Sequence, residues 1–105
     1  MKPEFENIPL HKNEDKKRFE LEVNGHLAFI DYKETESYIA LIHTESPAEL
    51  AGTGAASAVV EKTLTYVKES GKKLLPYCPF VFAYIKKHPE WKAIVDEHFS
   101  GYNQL

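Results

Sequence analysis

His43-Thr44-Glu45-Ser46-Pro47-Ala48-Glu49-Leu50-Ala51-Gly52-Thr53-Gly54-Ala55-Ala56 is the stretch on which the fold turns. It closes a segment of strand-like alternation, Tyr38 to Thr44, and opens one of helix-like period, in which Ala56, Val59, Val60, Leu64 and Val67 recur at three- and four-residue spacing. Between them, Glu45 to Gly54 reads as a loop. Gly52-Thr53-Gly54 stands where a strand gives way to a helix, a place where free backbone N–H groups and the positive end of the helix dipole can hold an anion. A flexible turn with tight helix packing would use the same glycines. The spacing excludes a nucleotide P-loop, because no Lys-Ser/Thr follows, and a dinucleotide fingerprint, because the third glycine is missing.

Upstream, Phe19, Leu21 and Val23 alternate with Glu20, Glu22 and Asn24, the pattern of a half-buried strand. Asn24-Gly25 tolerates the positive φ angles of a type I′ turn and leads into a second strand, Leu27 to Tyr32. With Lys33 to Ser37 as a polar turn, Tyr38 to Thr44 makes the third strand of a meander. Residues 1–17 hold Pro3, Pro9 and a charged run but no sustained period, and read as a loose N-terminal arm without chemistry.

Downstream, Gly71 stops the helix and Lys73 to Tyr77 is apolar enough for a fourth strand. Reached through a crossover helix, it should lie parallel to the third. Pro79 suits the first position of a further helix to Lys87, His88-Pro89 interrupts it, and an amphipathic segment, Glu90 to Phe99, should pack Trp91, Ile94, Val95 and Phe99 on the sheet. The tail Ser100 to Leu105 is expected to fray. The fold class is thus α/β (α+β), in a single domain over 1–105: a mixed, mainly antiparallel sheet with a crossover helix and C-terminal helices.

Composition narrows the function. Hydrophobic residues make up 43% and charged residues 28% of the 105, ordinary for a globular chain. No apolar run approaches the roughly 18 residues needed to span a bilayer, and the polar N-terminus makes no signal peptide, so the expectation is a cytoplasmic protein with no membrane partner. A net charge of −3 offers no basic field for nucleic acid. Five histidines without ligand spacing and one cysteine argue against a metal site.

Cys78 precedes Pro79 and is a candidate N-cap, where a helix dipole favours the thiolate, though a lone cysteine is commonly a small buried hydrophobe. If the third and fourth strands are parallel neighbours, their C-terminal ends open on one edge, and Cys78 and the glycine loop face one crevice. His43, at the end of the third strand, is of the residue type suited to accept a proton there, with Glu45 to orient it or to act in its stead; a structural histidine and a solvated carboxylate are the plain alternatives. Lys86 and Lys87 could reach a phosphate or simply form a solvated face.

Three ordered motifs, His43-Thr44-Glu45-Ser46-Pro47, the glycine loop and Pro76-Tyr77-Cys78-Pro79-Phe80, together resemble a short GNAT-like subfamily of the Gcn-related N-acetyltransferases over about Phe19 to Trp91. Glu49 departs from the Q/R-x-x-G-x-G/A signature. The resemblance implies a reduced GNAT-like fold and transfer of acetyl from acetyl-CoA to an unidentified amine, with coenzyme A held by Gly52, Thr53, Gly54, Ala55 and Ala56. It also implies Tyr84 as the acid for the departing sulfur, His43 or Glu45 as base, and Cys78 as a possible acyl acceptor. A non-catalytic acyl-CoA binding module is the alternative, and oligomeric state is left open.

Overall fold

The computed structural model describes residues 1–105. Five strands make one sheet in the order β1-β2-β3-β4-β5: His11–Asn13, Arg18–Val23, His26–Glu34, Tyr38–Glu45 and Lys73–Pro76. The first four pair antiparallel and β5 lies parallel to β4, so the meander and the parallel crossover both follow the sequence expectation. Asn24 and Gly25, with φ of 52° and 81°, make the tight turn between β2 and β3. Three helices complete the chain: α1 (Pro3–Glu6), α2 (Ala55–Ser70) and α3 (Pro79–Lys87), with short 3₁₀ turns at Ala48–Leu50, Pro89–Ile94 and Tyr102–Gln104. No helix is long and apolar enough to cross a membrane.

The core lies between one face of the sheet and α2. Phe19, Leu21 and Val23 of β2, Ala28, Ile30 and Tyr32 of β3, and Ile39 and Leu41 of β4 meet Ala55, Ala58, Val59, Val60, Leu64 and Val67 of α2 in a single cluster, joined by Val81 and Ile85 of α3. Each large aliphatic group buried there is worth about 1.5–3 kcal/mol. The face of α2 is rotated slightly from the expected one, for Ala55 and Ala58 are buried while Ala56 is half-exposed.

Both ends of the chain are more ordered than their sequence suggests. Residues 1–17 form α1 and the edge strand β1, and Phe5 is buried to 2% exposure in the common core. The C-terminal segment is not an α-helix: Pro89–Ile94 is 3₁₀, and Val95 instead bridges to Leu74 of β5. Only Val95 there is fully buried, with Trp91, Ile94 and Phe99 half-buried. The tail packs through Gly101 against Phe82 and Phe99, and the Lys92 ammonium lies 4.6 Å from the Tyr102 ring centroid.

Two irregularities position the candidate site. Asp31 pairs with His43 and Tyr32 with Leu41, which leaves Ile42 as the extra residue of a β-bulge in β4. The β4–β5 pairing ends at Leu41 and Pro76, whereas β4 continues to Glu45. Residues 42–45 thus run past the end of β5 with no strand on that side.

Candidate active site

The glycine loop has the geometry of an anion cradle. Gly52 and Gly54 take left-handed φ values of 77° and 90°, which side chains strongly disfavour. The Thr53 N–H donates to the Leu50 carbonyl at 3.1 Å and the Ala55 N–H to Thr53 Oγ1 at 3.2 Å, so these two amides are used within the loop. Those of Gly52, Gly54, Ala56 and Ser57 have no acceptor in the protein. The set of candidate donors is therefore shifted from the expected Gly52, Thr53, Gly54, Ala55 and Ala56: it retains Gly52, Gly54 and Ala56 and adds Ser57.

A groove of about 520 Å³ leads away from this loop between α2 and α3. Its walls are two helical stripes at i, i+3, i+4, i+7 spacing: Gly54, Ser57, Ala58 and Glu61 on one side, Phe80, Ala83, Tyr84 and Lys87 on the other. Small residues on the α2 stripe leave the room. That stripe was readable in the sequence as Gly54, Ser57 and Ala58 on one helix face, but only the packing of α3 opposite turns it into a wall. The volume lies within the range of small-molecule sites.

Tyr84 projects into this groove. Its hydroxyl donates to Glu61 Oε1 at 3.4 Å, and its ring lies 4.3 Å, centroid to centroid, from that of His88. Burial, followed by the negative charge of Glu61, pushes the hydroxyl pKa from an ordinary 10 up to about 12. Tyr84 therefore keeps its proton at neutral pH.

Cys78 is the N-cap residue of α3, but its side chain does not cap the helix. It is 2% exposed, its Sγ lies 3.2 Å from Thr44 Oγ1, and its N–H donates to the Leu41 carbonyl at 2.9 Å. It does not line the groove that Gly54 and Tyr84 share. Thr44 ties the end of β4 to the start of α3; its inward direction follows from its pairing with core residue Ile30.

His43 and Glu45 lie on the opposite face of the sheet. Their cross-strand partners are Asp31 and Phe29, and this face also carries Arg18, ion-paired to Asp31 at 3.2 Å and stacked 3.9 Å over the Phe29 ring. His43 Nε2 is 3.5 Å from Glu45 Oε1, and both side chains are more than half exposed. The fold thus joins His43 to Glu45, Tyr84 to Glu61, and Cys78 to Thr44. It does not bring His43 to Cys78, because the strand backbone separates them.

The sequence profile of the GCN5-related N-acetyltransferases matches residues 18–94, nearly three quarters of the chain. The chain belongs to that family. Among solved structures, an NMR structure of a GCN5-like Staphylococcus aureus protein, proposed to be an N-acetyltransferase, is similar to it with a TM-score of 0.62 and 21% identity, covering 90% of this chain and 97% of that one. At that identity the likeness speaks for a shared fold. No curated protein matches the sequence. Residues 1–17 of this GCN5-related chain lie outside the matched segment.

Proposed function

We propose that the chain transfers an acetyl group from acetyl-CoA directly to an amine, without an acyl-cysteine intermediate. The observation that carries this reading is the groove between α2 and α3, lined at one end by Gly54 and Ser57, whose amides, like those of Gly52 and Ala56 in the same loop and first helical turn, have no acceptor in the protein. Bare N–H groups at the positive end of a sixteen-residue helix suit a pyrophosphate. The residues fit such a group because the left-handed glycines leave the loop backbone open to it.

Coenzyme A supplies the activated thioester when bound, and the protein's share is placement and proton transfer. The unaccompanied edge of β4 beyond Leu41 can accept an extended, amide-bearing arm in place of the missing strand. This would set the acetyl carbonyl in the gap beside Thr44. On the open face, His43, backed by Glu45, takes a proton from the acceptor amine as its nitrogen forms the new C–N bond. On the groove side Tyr84 gives its proton to the sulfur as the C–S bond breaks, and is reprotonated from solvent. Glu61 orients the hydroxyl by accepting its hydrogen bond.

Cys78 fits a structural role better than a nucleophilic one. Its only side-chain hydrogen-bond partner is a threonine hydroxyl, not a base. The test is release of free coenzyme A thiol from acetyl-CoA with a panel of small amines, peptide N-termini and lysine peptides. Amine-dependent release that is lost in Tyr84→Phe and kept in Cys78→Ala is the expected result. Binding without release for every amine would make the chain a carrier module, and absence of binding would sink the reading.

A further inference from the structure

A second cavity, of about 610 Å³, lies at the other end of α2 from the glycine loop. It is bounded by Lys17 ahead of β2, by Lys33, Glu34 and Glu36 where β3 turns toward β4, and by Lys72 ahead of β5. One polar group there is buried and unclaimed. Tyr32 is 3% exposed, packs its ring 4.6 Å from that of Phe19, centroid to centroid, and lines the cavity. Its hydroxyl has no hydrogen-bond partner in the protein, whereas the Tyr66 hydroxyl accepts from Lys12 at 3.2 Å. Every side-chain nitrogen or oxygen sealed from solvent does have a partner, so the Tyr32 hydroxyl opens on the cavity. Burial holds its pKa above the ordinary 10 despite the nearby Lys12 charge, and at neutral pH it is a donor without an acceptor.

The charges around it select that acceptor. Lys17 is tied to Tyr32 through the backbone, the Tyr32 N–H donating to the Lys17 carbonyl at 3.0 Å. Neither Lys17 nor Lys33 is in an ion pair. Lys72 uses two of its three N–H groups on Glu34 and the Thr35 carbonyl, at 2.6 and 2.8 Å, and keeps one. Three lysines against two glutamates leave one positive charge in excess on the wall. A neutral donor beside one surplus positive charge matches a carboxylate, while a phosphate dianion would meet Glu36 with no charge left to offset it. Tyr32 is the only lining residue with an apolar body, which calls for a ligand that is polar throughout. We propose that this cavity is a second ligand site, taking a small polar carboxylate with Tyr32 as hydrogen-bond donor and Lys17 and Lys33 as counter-charges. It is independent of the acyl-CoA reading, since coenzyme A carries no carboxylate.

The experiment titrates ¹⁵N-labelled protein with lactate, succinate and citrate at constant ionic strength in a carboxylate-free buffer, with chloride and inorganic phosphate for comparison. Wild type, Tyr32→Phe, Lys33→Ala and Lys86→Ala are measured, the last on α3 as a control for net charge. Tyr32→Phe keeps the ring on Phe19, and an unchanged spectrum away from the cavity shows that the fold is kept. At least one carboxylate should give saturable shifts at the Lys17, Tyr32, Lys33 and Lys72 amides, with a Kd on the order of 1 mM. Tyr32→Phe should weaken it about tenfold, as for one charge-assisted hydrogen bond. Lys33→Ala should weaken it about threefold, as for an exposed charge pair, and Lys86→Ala should leave it unchanged. Tighter binding of phosphate than of any carboxylate would overturn the ligand class. No saturable shifts with the three carboxylates, the same shifts with chloride, or wild-type affinity in Tyr32→Phe would overturn the site.

Discussion

The two ends of α2 handle their polar groups in opposite ways. At the C-terminal end Gly71 closes the helix in a left-handed conformation and its N–H returns to the Lys68 carbonyl. Beside it Glu34 accepts from Lys12 at 2.7 Å and from Lys72 at 2.6 Å, and Lys12 also reaches the Tyr66 hydroxyl at 3.2 Å. Burial works against the Lys12 charge, but the bonds to Glu34 and Tyr66 outweigh it and hold its pKa above the usual lysine range. The same hydrogen bonds from Lys12 and Lys72 hold the Glu34 carboxyl below its ordinary value. At the N-terminal end the four amides of Gly52, Gly54, Ala56 and Ser57 have no partner within the protein. Polar groups that are satisfied internally serve stability, and those left open are where a ligand gains.

That contrast can be broken at either end. The largest effect is expected from Gly54→Val. A β-branched residue at φ 90°, with its Cβ 3.6–3.7 Å from Lys2 and Phe5 carbons, closes the cradle. Coenzyme A binding should fall more than about 100-fold, with roughly 1–3 kcal/mol lost from stability, read by calorimetry and denaturant unfolding. Next comes Tyr84→Phe, which should lower turnover about 100-fold while leaving the Kd for coenzyme A within about threefold, since it removes a proton donor and little contact area.

At the closed end, Glu34→Gln should cost about 1–2 kcal/mol of stability, because one of the two lysines loses its acceptor and both lose the carboxylate charge, and leave coenzyme A affinity unchanged. Its pH dependence follows from the sign of the shift. The folded pKa of Glu34 is below the ordinary 4.5, so its stabilisation is present above that value and fades as pH falls through the folded one. Urea unfolding from pH 6 down to pH 3 should show a wild-type decline that is shallower in Glu34→Gln. The smallest effect is expected of Cys78→Ala: turnover within about threefold of wild type, and a loss of about 1 kcal/mol from the space left beside Thr44. Loss of turnover in that variant, with an acetylated thiol in the wild type, would restore the covalent route.

The sequence was most informative where structure is local. Alternation at Phe19, Leu21 and Val23, the turn at Asn24-Gly25 and the stop at Gly71 are each written in a few adjacent residues, and the sheet followed from them. The ends were illegible because their order is tertiary. One aromatic residue, Phe5, fixes the first segment, and one bridge, Val95 to Leu74, fixes the last. The candidate site divides in the same way. The glycine loop could be read from spacing, but which amides stay free depends on the Thr53 hydroxyl, and the wall of the groove depends on α3 packing across from α2. His43 and Cys78, close in motif order, fall on opposite faces of the sheet because strand neighbours alternate and a bulge at Ile42 resets the register.

The most direct measurement is a titration of ¹⁵N-labelled protein with coenzyme A, followed amide by amide. The Gly52, Gly54, Ala56 and Ser57 resonances should shift together and saturate, with Gly71 and Lys72 at the far end of α2 unmoved. Saturable shifts confined to the Gly71 end, or no shifts at any of the four, would contradict the assignment of the groove to acyl-CoA.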